Sequence, residues 1–296
     1  MAESASHLVG RSVEREALAS ALASLREGGS GIVAIEGEPG IGKSRLLAHL
    51  EATADGCTVL AGRASEFEAD VPYALWTEAL DRHLADAGER RLSRLGLADP
   101  AALGMALPAL TDLAGEPAGG DRHRTHRALR DLLERLAGAR PLVLCLDDVH
   151  WADSASVEAL SALIRRPASG RVLLAVAARE GQLPRALAGA LSAALREDRL
   201  TRLVPAPLSP GEAAELVGDA ATTIYPQTGG NPFYLEQLAR AGDGAHAETA
   251  AAEDWSVPPP VAAALTSELA ALTREARRLL DAAAVTGDPF EPALAT

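Results

Sequence analysis

The sequence predicts an α/β fold: a parallel sheet wrapped by helices, followed by a small all-helical domain. Three observations predict it. Short β-branched or Leu-rich runs alternate with segments of helical periodicity from the N-terminus to about residue 206. A glycine-rich loop, Gly37-Glu38-Pro39-Gly40-Ile41-Gly42-Lys43-Ser44, joins the first strand-like run to a helix. Beyond residue 206 the strand-like runs stop and only helical patterns remain.

Taken in order, Val13 to Arg26 reads as a helix, with Leu18, Leu22 and Leu25 at helical spacing and Gly28-Gly29-Ser30-Gly31 ending it. Ile32 to Ile35 is a short buried strand, the loop follows, and Ser44 to Ala54 reads as a helix. Cys57 to Ala61 is the second strand. From Val71 to Leu136 the pattern is helical, interrupted by Gly88, Pro100, Pro108 and the Gly115-to-Gly120 turn cluster. Pro141 opens the third strand, Leu142 to Leu146, which ends in Asp147-Asp148. Asp153 or Ser154 caps a helix to about Arg165. Arg171 to Ala178 is a fourth strand, Leu183 to Leu195 a helix, and Leu200 to Val204 a fifth strand.

Ser209-Pro210-Gly211-Glu212 starts the next helix with a Ser cap, Pro at the first helical position and Glu three residues after the cap. Another helix is expected over Phe233–Arg240. Ala241 to Ser256, rich in Ala, Gly, Asp and Glu, reads as a linker that ends at Pro258-Pro259-Pro260. Two further helices are expected near Val261–Leu272 and Arg274–Ala284. The pattern breaks off after Pro289-Phe290-Glu291-Pro292, as if in mid-course. The expected domains are therefore 1–206 for the α/β part, 207–242 for a helical subdomain, 243–257 for a linker and 258–296 for a truncated helical segment.

The composition narrows the function classes. Of 296 residues, 48% are hydrophobic but only 3% aromatic, so the core must be built from Ala, Leu and Val. No apolar run approaches the roughly 18–20 residues that span a bilayer. Met1 to Gly10 lacks a basic start followed by an apolar stretch, so no signal peptide is expected and the predicted location is cytoplasmic. The net charge of −13 makes the chain a poor nucleic-acid binder as a whole. Cys57 and Cys145 both lie in apolar strand-like runs and are expected as reduced thiols, with neither disulfide nor metal between them. Of 28 basic residues, the only lysine is Lys43. It falls where the loop calls for a compact ammonium rather than a planar guanidinium.

Gly37-x-x-x-x-Gly42-Lys43-Ser44 fits the phosphate-loop pattern with the required strand before and helix after. The glycines let backbone N–H groups turn inward around phosphates, and the helix presents its positive end to the same anion. Lys43 can reach the β- and γ-phosphates, and the Ser44 hydroxyl can ligate Mg²⁺. The ligand expected is ATP or ADP with Mg²⁺. In a parallel sheet, ligands sit beyond the carboxyl ends of the strands, where the Asp147-Asp148 pair also falls. Asp147 would hold Mg²⁺, directly or through water. Asp148 would be free to orient or deprotonate an attacking water.

These residues resemble a known group. Leu8-Val9-Gly10-Arg11, with Glu14 and Leu18, resembles the N-terminal box of STAND ATPases and their AAA+-type relatives. Leu146-Asp147-Asp148-Val149-His150-Trp151-Ala152-Asp153 is similar to the Walker-B region of large ATP-binding transcriptional regulators of the LuxR type. Leu173 to Arg179 resembles their first sensor strand, and Thr228-Gly229-Gly230-Asn231-Pro232-Phe233-Tyr234-Leu235 their Gly-x-Pro motif. The resemblance implies a parallel-sheet P-loop NTPase fold of AAA+/STAND type, with a winged-helix-like start at the C-terminus. It implies a molecular switch with slow hydrolysis.

In that switch Val9, Gly10 and Arg11 would lie near the adenine or clamp the nucleotide. Glu38, Pro39, Gly40 and Ile41 would line the loop, with Arg45 just beyond it. Arg179 would sense the γ-phosphate, and Pro232 would report the bound nucleotide from the helical domain. The catalytic set implied is Lys43, Asp148 and Arg179, and the metal ligands are Ser44 and Asp147. Plainer roles exist: Arg11 as a cap of the first helix, Arg179 as a surface residue at a strand end, Pro232 as a first-turn proline, and His150 and Trp151 as packing residues. The chain departs from the family at Ser12, where an acidic residue is common, in the short stretch from Leu216 to Gly229, and at Asp148, where Glu is frequent.

Arg124, Arg127 and Arg130, with His123 and His126, form a basic stripe. It reads as a solvated face paired with Asp121, Asp131 and Glu134, or as an arginine finger toward a neighbouring subunit's ATP. Two other functions compete with the switch: a ring-forming AAA+ remodelling ATPase, and a P-loop small-molecule kinase. The kinase lacks an Arg-rich lid here. The partners expected are nucleotide and protein, including self-association in the ATP state. DNA contact is expected only through sequence beyond this chain, and no membrane contact is expected.

Overall fold

The computed structural model describes residues 8–111, 121–245, 257–270 and 272–286. The chain divides into two compact units, Met1–Pro207 and Leu208–Thr296.

Among the described residues the first unit has five strands: β1 (Gly31–Gly37), β2 (Thr58–Arg63), β3 (Leu142–Asp147), β4 (Val172–Arg179) and β5 (Leu200–Leu203). All pair in parallel, in the order β2-β3-β4-β1-β5. Parallel neighbours need long crossovers, and helices supply them. Helix α1 (Ser12–Arg26) precedes β1 and α2 (Lys43–Thr53) follows it. Between β2 and β3 lie α3 (Ala74–Ala87), α4 (Glu89–Arg94) and α5 (Arg122–Ala139). Helix α6 (Ser154–Arg165) joins β3 to β4, and α7 (Arg185–Arg196) joins β4 to β5.

Successive side chains of a strand point to opposite faces, so this sheet has two cores. Ile32, Ala34, Leu144, Leu146, Leu174 and Val176 pack with α3, α5, α6 and α7. Val33, Ile35, Val143, Cys145, Ala175 and Ala177 pack with α1 and α2. Cover on both faces is why these strands read as unbroken apolar runs rather than as alternation. The aromatic-poor composition lets helices approach closely. A Cβ on Gly62 of β2 would lie 2.8 Å from the Cβ of Ala79 and 2.9 Å from the carbonyl oxygen of Leu75, both on α3.

Local signals set the helix ends. Asp153 caps α6 by accepting the Ser156 N–H at 2.9 Å, and the same oxygen accepts the Tyr73 N–H at 2.9 Å. Of the two residues proposed from sequence, Asp153 is therefore the cap. Asp121 caps α5 through the His123 N–H. Arg124 binds Asp99, Arg122 binds Glu158, and Asp131 binds Arg135. Of the pairings expected for the basic stripe, only Arg130 with Glu134, at 3.9 Å, is found among the described residues. Asp121 is committed to backbone and Asp131 lies four residues before Arg135 on the same face.

The second unit begins with α8 (Pro210–Val217), α9 (Ala221–Thr228) and α10 (Pro232–Ala245), packed around Leu208, Ala213, Ala221, Ile224 and Leu235. Ser209 and Glu212 form the full capping box ahead of α8. Helix α10 continues to Ala245, past the expected end at Arg240 and the boundary at residue 242. Alanines there favour helix, and Gly242 and Gly244 cost only about 1 kcal/mol each. Helices α11 (Pro259–Ala270) and α12 (Arg274–Thr286) follow. The Gly115-to-Gly120 cluster, most of the linker and Pro289–Pro292 lie outside the described residues.

Candidate functional site

Strand register brings the candidate residues to one rim. Gly37 at the end of β1 is level with Arg179 at the end of β4, and Arg63 at the end of β2 is level with Asp147 at the end of β3. The carboxyl ends of four strands thus meet where a parallel sheet binds its ligand.

The loop leaves β1 at Gly37 and enters α2 at Lys43. Gly40 and Gly42 have φ of 76° and 106°, a region that side chains with a Cβ avoid. Gly42 is the N-cap of α2 and makes no side-chain cap, so the first-turn N–H groups remain as anion donors. Lys43 is buried, and its Nζ donates to the carbonyls of Gly37 at 2.9 Å and Glu38 at 2.7 Å. Burial lowers its pKa, and the carboxylates of Asp148 and Asp147 oppose that shift. The Gly37 carbonyl also accepts the Glu180 N–H at 3.3 Å, which ties the loop to the end of β4.

Beside the loop, the Ser44 hydroxyl bonds the Asp147 carboxylate. Burial raises the Asp147 pKa, the Ser44 bond opposes this, and neighbouring Asp148 adds to the rise. Asp147 Oδ1 also accepts the Asp148 N–H at 2.8 Å. Asp148 leaves the sheet with φ of 51°, a left-handed turn that only a few residue types tolerate. Its carboxylate is not free, contrary to the expectation from sequence. Oδ2 accepts from Arg63 Nη2 at 2.6 Å and Nε at 2.9 Å.

Two residues back this arrangement from below. The His150 side chain is buried, and its Nδ1 accepts the Arg179 N–H at 3.4 Å. Burial pushes the imidazole pKa down to about 4, despite the pull of Asp148. The Arg179 guanidinium carbon stands 5.7 Å from the Trp151 ring centroid, a cation–π contact. His150 and Trp151 therefore support the end of β4.

Arg11 is 4% exposed. Its Nη2 donates to the Ile41 carbonyl at 2.8 Å and its Nη1 to the Ala206 carbonyl at 2.5 Å. The guanidinium thus staples the loop to the segment after β5, and it makes no side-chain cap for α1. Val9 is buried beside it in sequence, and Gly10 turns with φ of 64°. Pro232 opens α10 in the second unit, where Asn231 Oδ1 accepts the Phe233 N–H at 3.1 Å.

Sequence reasoning missed Arg63. It sits at a strand end in an arginine-rich chain and belongs to no motif, so only the β2–β3 register reveals it. The signal available was weak: a charged residue just past an apolar strand, at the edge where ligands bind. Also unforeseen is Glu51 of α2, which hydrogen-bonds the buried Cys145 thiol and whose own pKa is raised by burial. Both cysteines are free thiols, Cys145 buried and Cys57 half-buried.

Among solved structures, the chain resembles the ORC2 protein of Aeropyrum pernix, in ADPNP–ADP complexes, with a TM-score of 0.54 and 18% identity over 98% of this chain and 79% of that one. It also aligns with a point mutant of Thermotoga maritima RuvB, at 0.47 and 16% over 99% and 83%. A third match is a Signal Transduction ATPase with Numerous Domains from Pyrococcus horikoshii, with a tetratricopeptide repeat sensor, at 0.44 and 18% over 97% and 36%. At such identity the ORC2 likeness speaks for the fold alone. No curated protein matches the chain in sequence. The AAA ATPase domain profile, in contrast, matches residues 7–176, a span that holds the loop, Arg63, Asp147, Asp148 and His150. On that match, which covers more than half of the sequence, the chain belongs to the AAA ATPase domain family.

Proposed function

We propose that this AAA ATPase domain is an ATP-driven regulatory switch with slow hydrolysis, the nucleotide module of a signalling or transcriptional regulator resembling the LuxR-type ATP-binding proteins. One observation carries the reading: the candidate base, Asp148, at the rim that holds the loop and the Ser44–Asp147 pair, is held by Arg63. Such a site favours residence of the nucleotide over rapid turnover.

The residues suit the ligands. The ammonium of Lys43 has three donors, of which two engage loop carbonyls and one remains for a phosphate oxygen. Ser44 and Asp147 hold their oxygens together, which suits Mg²⁺, a cation usually held by one or two protein ligands and by phosphate oxygens. When bound, the metal neutralises charge on the β- and γ-phosphates. Asp147 accepts from Ser44, Asp148 stands ready to orient a water once released from Arg63, and Arg179 is aimed by its Trp151 and His150 contacts.

The switch reading draws on the Arg11 staple. It links the loop carbonyl of Ile41 to Ala206, just before the second unit begins in the chain. A loop displaced by nucleotide would pull on that connection and bias two conformations of the chain. Pro232 would respond from the second unit, and α11 with α12 would begin a winged-helix-like segment. The experiment is to identify the nucleotide that co-purifies with the native chain and with Lys43→Ala and Asp147→Asn. Nucleotide retained by Lys43→Ala at the native level would refute the site.

A further inference from the structure

We propose that the groove between α5 and α6 is a second anion site, separate from the phosphate loop, that takes the phosphoryl group of a small phosphorylated ligand. The groove is a cavity of about 270 Å³ with five basic residues in its lining: His123, His126, Arg127, Arg130 and Arg166. Among the described residues no carboxylate lines it, although the chain as a whole carries a net charge of −13. None of the lining residues belongs to the strand ends or to the loop.

The helix spacing concentrates the charge. His123, Arg127 and Arg130 stand at i, i+4 and i+7 of α5 and so share one face. Arg166 is the C-cap residue of α6 and brings a fifth basic group from the other wall. Arg127, Arg130 and Arg166 carry the fixed like charge here, while burial lowers the His126 pKa and leaves its imidazole as a neutral donor, so the three guanidinium groups call for counter-charge.

The neighbouring carboxylates do not supply it fully. Glu158 is bound by Arg122 at 2.8 and 3.0 Å. Glu134 accepts the Ser169 N–H at 2.8 Å and stands 3.9 Å from Arg130. Arg127 Nε donates to the His123 carbonyl at 3.4 Å. Among the described residues, neither Arg127 nor Arg166 has a carboxylate partner. Among the described residues His126 Nε2 is enclosed and finds no hydrogen-bond partner, an uncommon state for a polar atom shut off from water.

Size and donor type select the ligand. The volume falls just short of the roughly 300 Å³ at the small end of ligand pockets, so the occupant is compact. Planar guanidinium forks match the oxygens of a phosphoryl group two at a time. The apolar part of the wall, Ala162 and Leu163, leaves room for only a short carbon portion.

The test is a calorimetric titration of inorganic pyrophosphate into the full chain saturated with Mg·ADP, which keeps the loop filled. One further equivalent is expected to bind. The same binding is expected in Lys43→Ala, where the loop is disabled. The double variant Arg127→Ala/Arg166→Ala, altered only at exposed side chains, is expected to keep its fold and its ADP affinity and to bind pyrophosphate at least tenfold more weakly. Equal pyrophosphate affinity in the double variant overturns the proposal, and so does loss of binding in Lys43→Ala. Duplex DNA that binds more tightly than pyrophosphate and is lost in the same double variant would reassign the groove to a nucleic-acid backbone, which also overturns it.

Discussion

Arg63 grips Asp148 through two nitrogens on a single carboxylate oxygen, across the β2–β3 edge of the sheet. The contact restrains the residue proposed above to act on water. Arg63→Ala should raise steady-state ATP hydrolysis about two- to fivefold, the scale of one exposed ion pair. ATP affinity should stay unchanged. Asp148→Asn should slow hydrolysis by about 10²–10⁴. If Arg63→Ala leaves the rate unaltered in a coupled ATPase assay, the contact is no restraint.

Lys43→Arg should fail almost as fully as Lys43→Ala. The ammonium sits buried on two carbonyls, and a planar guanidinium needs a wider space. Nucleotide affinity should drop by roughly 100-fold, near 3 kcal/mol, for the lost charge-assisted bonds. Fluorescent-nucleotide titration reads this directly. Near-native affinity in Lys43→Arg would mean that the loop tolerates any cation.

Arg11→Ala should destabilise the chain by about 2–4 kcal/mol, because two carbonyls lose a buried charged donor. Thermal unfolding would show the loss as a lower Tm. Nucleotide affinity should fall with it, since the Ile41 carbonyl belongs to the loop. A variant with native Tm but weakened binding would return Arg11 to the role of a direct clamp.

His150 should make stability depend on pH in a narrow acid window. Its folded pKa is about 4 against an ordinary 6.5, so the unfolded chain takes up the proton first. The contribution is fully present above pH 6.5 and is lost as pH falls toward 4. It amounts to about 3 kcal/mol at most. Stability measured by urea unfolding from about pH 7 to 4 should therefore fall less steeply for His150→Asn than for the native chain. Parallel slopes would show that the imidazole is already solvated.

Much of this was legible in the sequence, for local reasons. The five strands, the phosphate loop and the Ser209–Glu212 box are short-range patterns, and each appears where those patterns put it. Asp147 was legible because it ends an apolar strand. What failed depended on distant partners. The Asp148 restraint comes from a residue 85 positions earlier, and the Arg11 bond to Ala206 spans 195. Neither pairing has a local trace, because strand order and register decide which ends meet. The Arg124 partner was missed for the same reason: Asp99 comes from another segment, whereas Glu134, four residues from Arg130 on the same helix, was legible.

The strand order has a consequence for how the chain is made. Among the described residues β1 pairs only with β4 and β5, and β2 only with β3. A growing chain that has released its first two strands from the ribosome therefore holds two unpaired strands with no neighbour yet synthesised. At ~5–20 residues per second, β1 waits on the order of ten seconds for β4. During that interval the apolar run Ile32–Ile35 has its hydrogen-bonding edges open, and the nascent chain is most exposed to aggregation and most in need of a chaperone.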